Sequence, residues 1–304
     1  MSESTITVTS ASPMRLDAFV RAALPAFSRR LTRLAIADGA IRVNGRPAQK
    51  GMLVKAGDQV TVPVTTELVA EADLPVSVLY EDRSLVVVDK PGGMRGHALD
   101  PRERGTIAAF LLGCYPEMAG VGDGLSAGLV HRLDQGTSGV LVAARTSPAF
   151  SALRAAFRRR AVRKRYLALV EGVPPTTADV ATPLAHDPGD RRRMIAARPG
   201  LRSWRAETRI DRLAVGRASA LVAATMSTGV THQIRAHLAL LGHPVVGDAL
   251  YGSPTSSLPD GRHALHAARI TLPHPDAARP LEITSELPDD IVRLINDAND
   301  AIAS

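Results

Sequence analysis

Aromatic residues make up only 3% of this 304-residue chain, too few to build a platform on which many bases of a single strand could stack. A lone cysteine, Cys114, excludes an internal disulfide. It has no neighbours at metal-ligand spacing, so a small buried or half-buried thiol is expected. No run of about 18 uncharged apolar residues occurs, which argues against a membrane-spanning helix. The opening M-S-E-S-T-I-T-V-T-S lacks the positive start and apolar block of a secretory signal, and the expected compartment is the cytoplasm. There is no Gly-rich dinucleotide loop and no cluster of metal ligands. What the chain has in excess is positive charge, +7 at neutral pH. That favours a polyanionic partner, and with so few aromatics phosphate contacts should dominate its recognition.

The charge is unevenly placed. Residues 1–62 hold nine Lys or Arg against four Asp or Glu. Within them, Leu16, Phe19, Val20 and Ala23 recur at helical spacing until Pro25 stops the run. A second helix follows Ser28, an expected N-cap, with Arg29, Arg30 and Arg33 on one side, Leu31, Leu34 and Ala35 on the other, and Gly39 at its end. Asn44-Gly45 then reads as a hairpin turn, and a strand is entered through Gly57 and Asp58. Residues 63–75, bounded by prolines and acidic, read as a linker. From Val76 onward the segments V-S-V-L-Y, S-L-V-V-V-D, G-L-V-H, G-V-L-V-A-A and R-Y-L-A-L-V read as strands alternating with a few helices. The expected class is therefore α+β, a mixed and mainly antiparallel sheet with flanking helices over 76–290, preceded by a small α/β domain over 14–62.

Three segments of the larger domain carry chemistry. In G-L-V-H-R-L-D-Q-G-T-S-G, His131, Arg132 and Asp134 sit on a tight connection between apolar runs. Arg132 and Asp134, two apart, project to one side of an extended backbone, where the arginine could hold a phosphate and the carboxylate face a reacting group; such a pair can also simply brace a turn. In T-H-Q-I-R-A-H-L-A-L-L-G-H, Ile234, Leu238 and Leu241 mark the buried stripe of a helix with Thr231 as N-cap and Gly242 as stop. Its first turns carry His232 and Arg235, a cation opposed there by the macrodipole, so an anion is expected to meet it. His232, His237 and His243 lack a carboxylate at zinc-helix spacing, and no metal is expected. The third segment opens with Ser147-Pro148 and a helix whose Phe150, Leu153 and Phe157 face inward, and runs into a strand on which Lys164 and Tyr166 share a face. Arg158, Arg159, Arg160, Arg163, Lys164 and Arg165 form one basic ridge and Arg191, Arg192 and Arg193 another.

The helix pair, basic second helix and V-N-G hairpin of residues 14–62 resemble the S4-like RNA-binding domain. H-R-L-D-Q-G-T-S-G, K-R-Y-L-A-L-V-E-G, T-H-Q-I-R-A-H-L-A-L-L-G-H-P-V-V-G-D-A-L-Y-G and L-H-A-A, with D-K-P-G-G-M at 89–94 and His97 after it, together resemble the RluA family of pseudouridine synthases. The resemblance implies an RNA isomerase with Asp134 as catalytic aspartate, Tyr166 as active-site tyrosine and Arg235 as the basic partner of the aspartate. It implies Leu265 in the uracil pocket and Arg132 helping to turn the nucleotide out, with Lys164, His131 and His232 also at the substrate. Arg29, Arg30, Arg33, Arg158, Arg159 and Arg160 are the expected RNA contacts. One departure is visible: Val230 stands where an arginine commonly precedes T-H-Q-I-R.

Pseudouridylation breaks the ribose bond to uracil N1 and rejoins the base through C5, with no atoms gained or lost, so no cofactor is expected. One catalytic carboxylate distinguishes it from glycoside hydrolysis, which usually needs two; Asp248, in V-G-D, is expected to be structural. The expected partner is ribosomal RNA of the large subunit, with transfer RNA as the alternative, and the expected state is a monomer. The competing class is a noncatalytic RNA-binding or ribosome-assembly factor.

Overall fold

A computed structural model describes residues 3–24, 27, 29–63, 68–99, 101, 103–122, 125–253, 257–277 and 279–300, without the side chains of 29, 30 and 298–300. The chain forms two compact units, Met1–Leu74 with His97–Leu129 and Arg145–Ser147, and Pro75–Gly96 with Val130–Ala144 and Pro148–Ser304.

In the first unit the strands β1 (Glu3–Thr7), β3 (Arg42–Val43), β4 (Arg46–Pro47) and β6 (Gln59–Pro63) form an antiparallel sheet in the order β1-β6-β3-β4, and β2 (Met14–Arg15) pairs with β5 (Leu53–Val54). Helix α1 (Leu16–Ala23) buries Leu16, Phe19 and Val20, whereas Ala23, expected on that face, is exposed in the last turn. Helix α2 (Arg29–Ala37) buries Leu31 and Ala35, leaves Arg33 in solvent and is followed by Gly39 at φ +66°. The expected cap Ser28 and stop Pro25 lie outside the described residues, as do the side chains of Arg29 and Arg30. Asn44 and Gly45 take positive φ values of 51° and 78°, which a two-residue hairpin turn requires. The Asn44 amide donates to Asp58 Oδ1 at 3.0 Å and its oxygen accepts from Gln59 N–H at 2.8 Å, tying the hairpin to the next strand. Helix α3 (Ile107–Cys114) is capped by Thr106 Oγ1, which accepts from Ala109 N–H at 3.1 Å. Cys114 is exposed at its C-terminus rather than buried, because the helix packs through its earlier turns, Ile107 to Leu111.

The second unit is built on a nine-stranded sheet, β7 (Ser77–Glu81), β8 (Leu85–Lys90), β9 (Ser138–Ala144), β10 (Arg163–Glu171), β11 (Thr177–Val180), β15 (Thr208–Val215), β16 (Ser219–Met226), β17 (Leu265–Pro273) and β18 (Pro280–Thr284). Its order is β11-β15-β16-β10-β17-β9-β8-β7, with β18 also on β17; β9–β17 is the parallel pair and the rest are antiparallel. A small sheet, β13-β12-β14, is made of Met194–Ala196, Leu184–His186 and Ser203–Trp204. Helices α4 (Ser147–Arg158), α5 (Gln233–Leu240) and α6 (Asp289–Asp300) complete the unit. The class is α+β with a mixed, mainly antiparallel sheet. One core cluster joins Ala168 and Val170 of β10, Val222 of β16, Leu265 of β17, Ile234 and Leu238 of α5 and Ile291 of α6, so the burial of α5 fixes where its first turn points.

Three local expectations differ from what is seen. The G-L-V-H run is not a strand: the chain turns at Ala127 and Gly128, φ 43° and 73°, and the run meets β9 where Val130 N–H donates to Val142 O at 3.2 Å and Val142 N–H donates to His131 Nε2 at 3.0 Å. On α4 the buried residues are Ala149, Leu153 and Ala156; Phe150 and Phe157 are half-buried, because the small alanines allow the close approach. Leu241, placed on the buried stripe of α5, is only half-buried and follows the helix end.

At the parallel junction Gly139 has φ +108°, and a Cβ there would lie 2.4 Å from the carbonyl oxygen of Ala267 on β17. Neither the backbone conformation nor the gap tolerates a side chain. Gly139→Ala is expected to destabilise the protein by at least about 2 kcal/mol, read as a lowered urea midpoint with an unchanged m-value.

Candidate active site

Asp134 lies in the turn that leads into β9, closed by the Thr137 N–H donating to Asp134 O at 3.1 Å. Gly136 is required there: a Cβ would fall 2.3 Å from Gly261 O and 2.7 Å from the His263 ring. The turn is pinned from behind by Arg262, whose Nη1 donates to Gly136 O at 2.6 Å and whose Nη2 donates to Ser138 Oγ at 3.0 Å. Its Nε pairs with Asp290 of α6 at 2.9 Å. Thr137 Oγ1 meets His263 Nε2 at 2.9 Å and Ser138 Oγ meets His266 Nδ1 at 3.0 Å. Burial pushes His263 down to about 3, so this support is uncharged at neutral pH. Lys90, at the end of β8, donates from Nζ to Pro91 O, Met94 O and Gln135 O at 2.8, 2.7 and 3.0 Å, which binds the D-K-P-G-G-M loop to the residue after Asp134.

Arg235 arrives from α5. Its Nη1 donates to Asp134 Oδ2 at 2.9 Å, while Nε and Nη2 grip Asp248 Oδ2 and Oδ1 at 2.6 and 2.8 Å. The anion expected to meet this cation is thus a pair of carboxylates, one of them buried to 1% side-chain exposure. Asp248 closes its own turn by accepting from Leu250 N–H. Burial works against the charge on Arg235, but Asp248 and Asp134 more than offset it and raise its pKa further. For Asp134 burial alone would raise the pKa; the attraction of His232, once that ring is protonated in acid, and of Arg235, with the Arg235 hydrogen bond, outweighs it, and the carboxyl is held below its ordinary value. It is ionised at neutral pH.

Asp134, Arg235, Tyr166 and Leu265 line one pocket of about 350 Å³, together with His131, Arg132, Arg154, Phe157, Arg158, Lys164, Val230 and His232. That size lies in the ~300–1,000 Å³ range of small-molecule sites. Tyr166 projects from β10 where the register with β17 shifts between Arg165 and Leu167, a bulge of the kind that re-aims a side chain. Burial, then the nearby Asp134, raises the pKa of its phenol, which stays protonated. Leu265 opens β17 and is 3% exposed. Arg132 and Arg158 are exposed at the pocket, and Arg159 and Arg160 follow Arg158 into solvent.

Other expected residues are placed differently. Lys164 is buried, not part of the basic ridge: its Nζ donates to Thr228 O at 2.6 Å, and burial lowers its pKa to about 8. His131 Nε2 accepts from Val142 N–H at 3.0 Å and its ring stacks on Phe157 at 5.0 Å, so it braces the turn and walls the pocket. Thr231 does not cap α5; His232 occupies that position with φ 54° and makes no capping bond. His237 and His243 bond to Thr208 Oγ1 and Glu171 O, away from His232. Among the described residues no group of three His, Cys, Asp or Glu is placed to hold a metal ion, and no helix is long and apolar enough to cross a membrane. Sequence reasoning missed the grip of Asp248 on Arg235 and the bracing of the Asp134 turn by Arg262; no local pattern pointed to either.

The model of the RNA pseudouridylate synthase family matches residues 84–240, and the S4 domain model matches residues 14–60. An RNA pseudouridine synthase of Chloroflexus aurantiacus is 40% identical over 94% of this chain and 90% of its own length. Ribosomal large subunit pseudouridine synthase D of Neisseria meningitidis is 33% identical over 93% of this chain and 78% of its own. The solved structure of human RNA Pseudouridylate Synthase Domain Containing 4 is 27% identical, covers 72% of this chain and 92% of its own, and superposes with a TM-score of 0.57. With an ionised aspartate paired to a buried arginine beside a tyrosine and a leucine, the chain belongs to the RNA pseudouridylate synthase family and carries an S4 domain at its N-terminal end.

Proposed function

We propose that the protein isomerises uridines of large-subunit ribosomal RNA to pseudouridine, with Asp134 as the reacting carboxylate. The observation that carries this reading is the 2.9 Å bond from Arg235 to an ionised Asp134 in a pocket lined by Tyr166 and Leu265. Several relatives that match over more than nine-tenths of this chain are named ribosomal large subunit pseudouridine synthase D, and the S4 domain and the basic residues suit a structured RNA. The working compartment follows as the cytoplasm, with the protein acting as a monomer and residues 14–62, 63–75 and 76–290 serving as RNA-binding domain, linker and catalytic domain.

A target uridine must leave its stack before it reaches Asp134, at a cost of a few kcal/mol. Phosphate contacts from Arg132, Arg158, Arg159 and Arg160, and from Arg29, Arg30 and Arg33 of the S4 domain, offset that cost. In the pocket the uracil packs between the ring of Tyr166 and the side chain of Leu265, and the ribose presents C1′ and C2′ to Asp134. Two routes are open to that oxygen, attack on C1′ or removal of the C2′ proton, and both require the ionised form that Arg235 maintains. The released base turns and C5 bonds to C1′ as Asp134 is displaced from that carbon or returns the proton to C2′; the C5 proton passes to water and N1 takes one up, so no atom is gained or lost. Tyr166, protonated, stacks on the uracil and stays close to that carbon. Val230 removes one phosphate contact from the rim and bears on target choice rather than chemistry.

Asp134→Asn is expected to abolish tritium release from RNA labelled at uridine C5, by more than about 10³-fold, with RNA affinity within a few-fold of wild type; turnover by this variant would overturn the reading. Pseudouridine mapping in a strain lacking the protein is expected to lose sites in large-subunit ribosomal RNA, and losses confined to transfer RNA would replace the target. Asp248→Ala strands a buried guanidinium and is expected to cost about 3–5 kcal/mol of stability in urea titration.

A further inference from the structure

Beside the Arg235–Asp134 pair sits a second, uncharged contact that the reaction as described does not use. His232 holds a left-handed conformation, φ 54° and ψ 19°, immediately before α5. A non-glycine residue takes that strain only where its surroundings fix it, and such residues gather at active sites. Here the conformation stands the imidazole edge-on to the ring of Tyr251, centroids 5.8 Å apart and planes at 85°. Nδ1 lies 3.2 Å from Tyr251 Oη, and Nε2 lies 3.7 Å from Asp134 Oδ2.

The hydrogen-bond inventory favours one ring nitrogen for the proton. Tyr251 Oη already accepts the Met194 N–H at 2.7 Å, and its single O–H finds an acceptor in the Nδ1 lone pair 3.2 Å away. Burial pushes the phenol up to about 12, so that proton is present at every working pH. A neutral imidazole that accepts at Nδ1 carries its hydrogen on Nε2, aimed at Asp134 and at the pocket that His232 lines. Burial also lowers the histidine's own pKa, which keeps it neutral at pH 7.

We infer that His232 is a positioning residue, locked by Tyr251 in its Nε2–H form, and that this N–H is the second donor to Asp134 Oδ2, leaving Oδ1 as the oxygen that reacts with the ribose. The inference rests on the reading of Asp134 as the reacting carboxylate. Both donors approach the same oxygen, Arg235 at 2.9 Å and His232 at 3.7 Å; the longer contact closes when a nucleotide fills the pocket, as such contacts do on substrate binding. A second donor stops the carboxylate rotating about its bond to Arg235, and being neutral it does not further weaken Asp134 as a base or nucleophile. Protonation undoes this arrangement: the added Nδ1–H faces the Tyr251 O–H, and the cation draws Asp134 away from the sugar. The groups that set where this happens are Asp134 and Arg132 from the preceding turn, Arg235 on its own helix, Asp248 and Tyr251 from the following turn, and Arg193, stacked on the far ring at 5.6 Å. Asp134 stays ionised below its ordinary carboxylate range, so the acid limb that this protonation produces belongs to His232, below the ordinary histidine value.

The test uses the full chain in saturating excess over total RNA from cells lacking the protein, labelled with tritium at uridine C5, so that the rate is free of affinity. His232→Ala is expected to slow tritium release by roughly 30-fold, and His232→Gln, whose amide N–H takes the place of Nε2–H, to recover most of that loss and to lack the acid limb. Tyr251→Phe is expected to slow release about fivefold and move the acid limb to higher pH, since the bond that favours neutral imidazole is gone. In wild-type protein labelled with ¹⁵N-histidine, with the signal assigned by its absence in His232→Gln, Nε2 is expected to be protonated and Nδ1 not; this reading needs no variant to keep activity. A proton on Nδ1, a wild-type rate for His232→Ala, or equal loss in the alanine and glutamine variants overturns the inference. Full turnover by Asp134→Asn would instead remove the reading beneath it, whereas an inert Asp134→Asn beside a fast His232→Ala sinks only the role of His232.

Discussion

One guanidinium shared by two carboxylates organises this protein's active site. Arg235 spends Nε and Nη2 on the buried Asp248 and directs Nη1 to Asp134. At an effective dielectric near 20, a charge pair about 4 Å apart is worth roughly 4 kcal/mol, enough to keep Asp134 ionised against the burial that would neutralise it. The two grips differ in purpose. The fork onto Asp248 fixes the plane of the guanidinium, as bidentate pairs do, and the remaining N–H then has one direction in which to point. Asp248 is therefore structural in a particular sense: it aims the guanidinium that holds Asp134.

The turn bearing Asp134 is equally fixed from its other side. Arg262 joins Gly136 O and Ser138 Oγ to Asp290 of α6, and Lys90 joins the 89–94 loop to Gln135 O. Both cations are buried, and Lys90 is pushed down to about 7 by burial and by Arg262. Gly136 and Gly139 bracket the same turn because backbone oxygens lie within 2.4 Å of where their Cβ atoms would be. A site held by backbone clearances and buried donors has little freedom to adjust, which is what near-attack geometry requires.

The sequence told most about the elements whose periodicity is local. The Asn44-Gly45 hairpin, α2, the strand over 163–171 and α5 follow from spacing, turn residues and stops within a dozen positions. The G-L-V-H run misled because its apolar residues suggested a ladder, while the chain turns at Ala127 and Gly128 and meets β9 through two bonds to Val142. Thr231 was the better cap by residue type, yet the chain places His232 there in a left-handed conformation, with no side-chain capping bond. Lys164 looked like one more cation of a ridge, and only the strand pairing shows that its face points inward. The pairing of Asp134 with Arg235 spans 101 positions. No local pattern carries that distance, and it was legible only through family resemblance.

The account turns on the three-pronged geometry of Arg235, and Arg235→Lys isolates it, because an ammonium keeps the charge and loses the fork. Single-turnover tritium release at saturating enzyme is the direct measurement. The account predicts a fall on the order of 10²-fold with RNA affinity nearly unchanged; a wild-type rate would show that charge alone suffices and that the shared guanidinium does not organise the site.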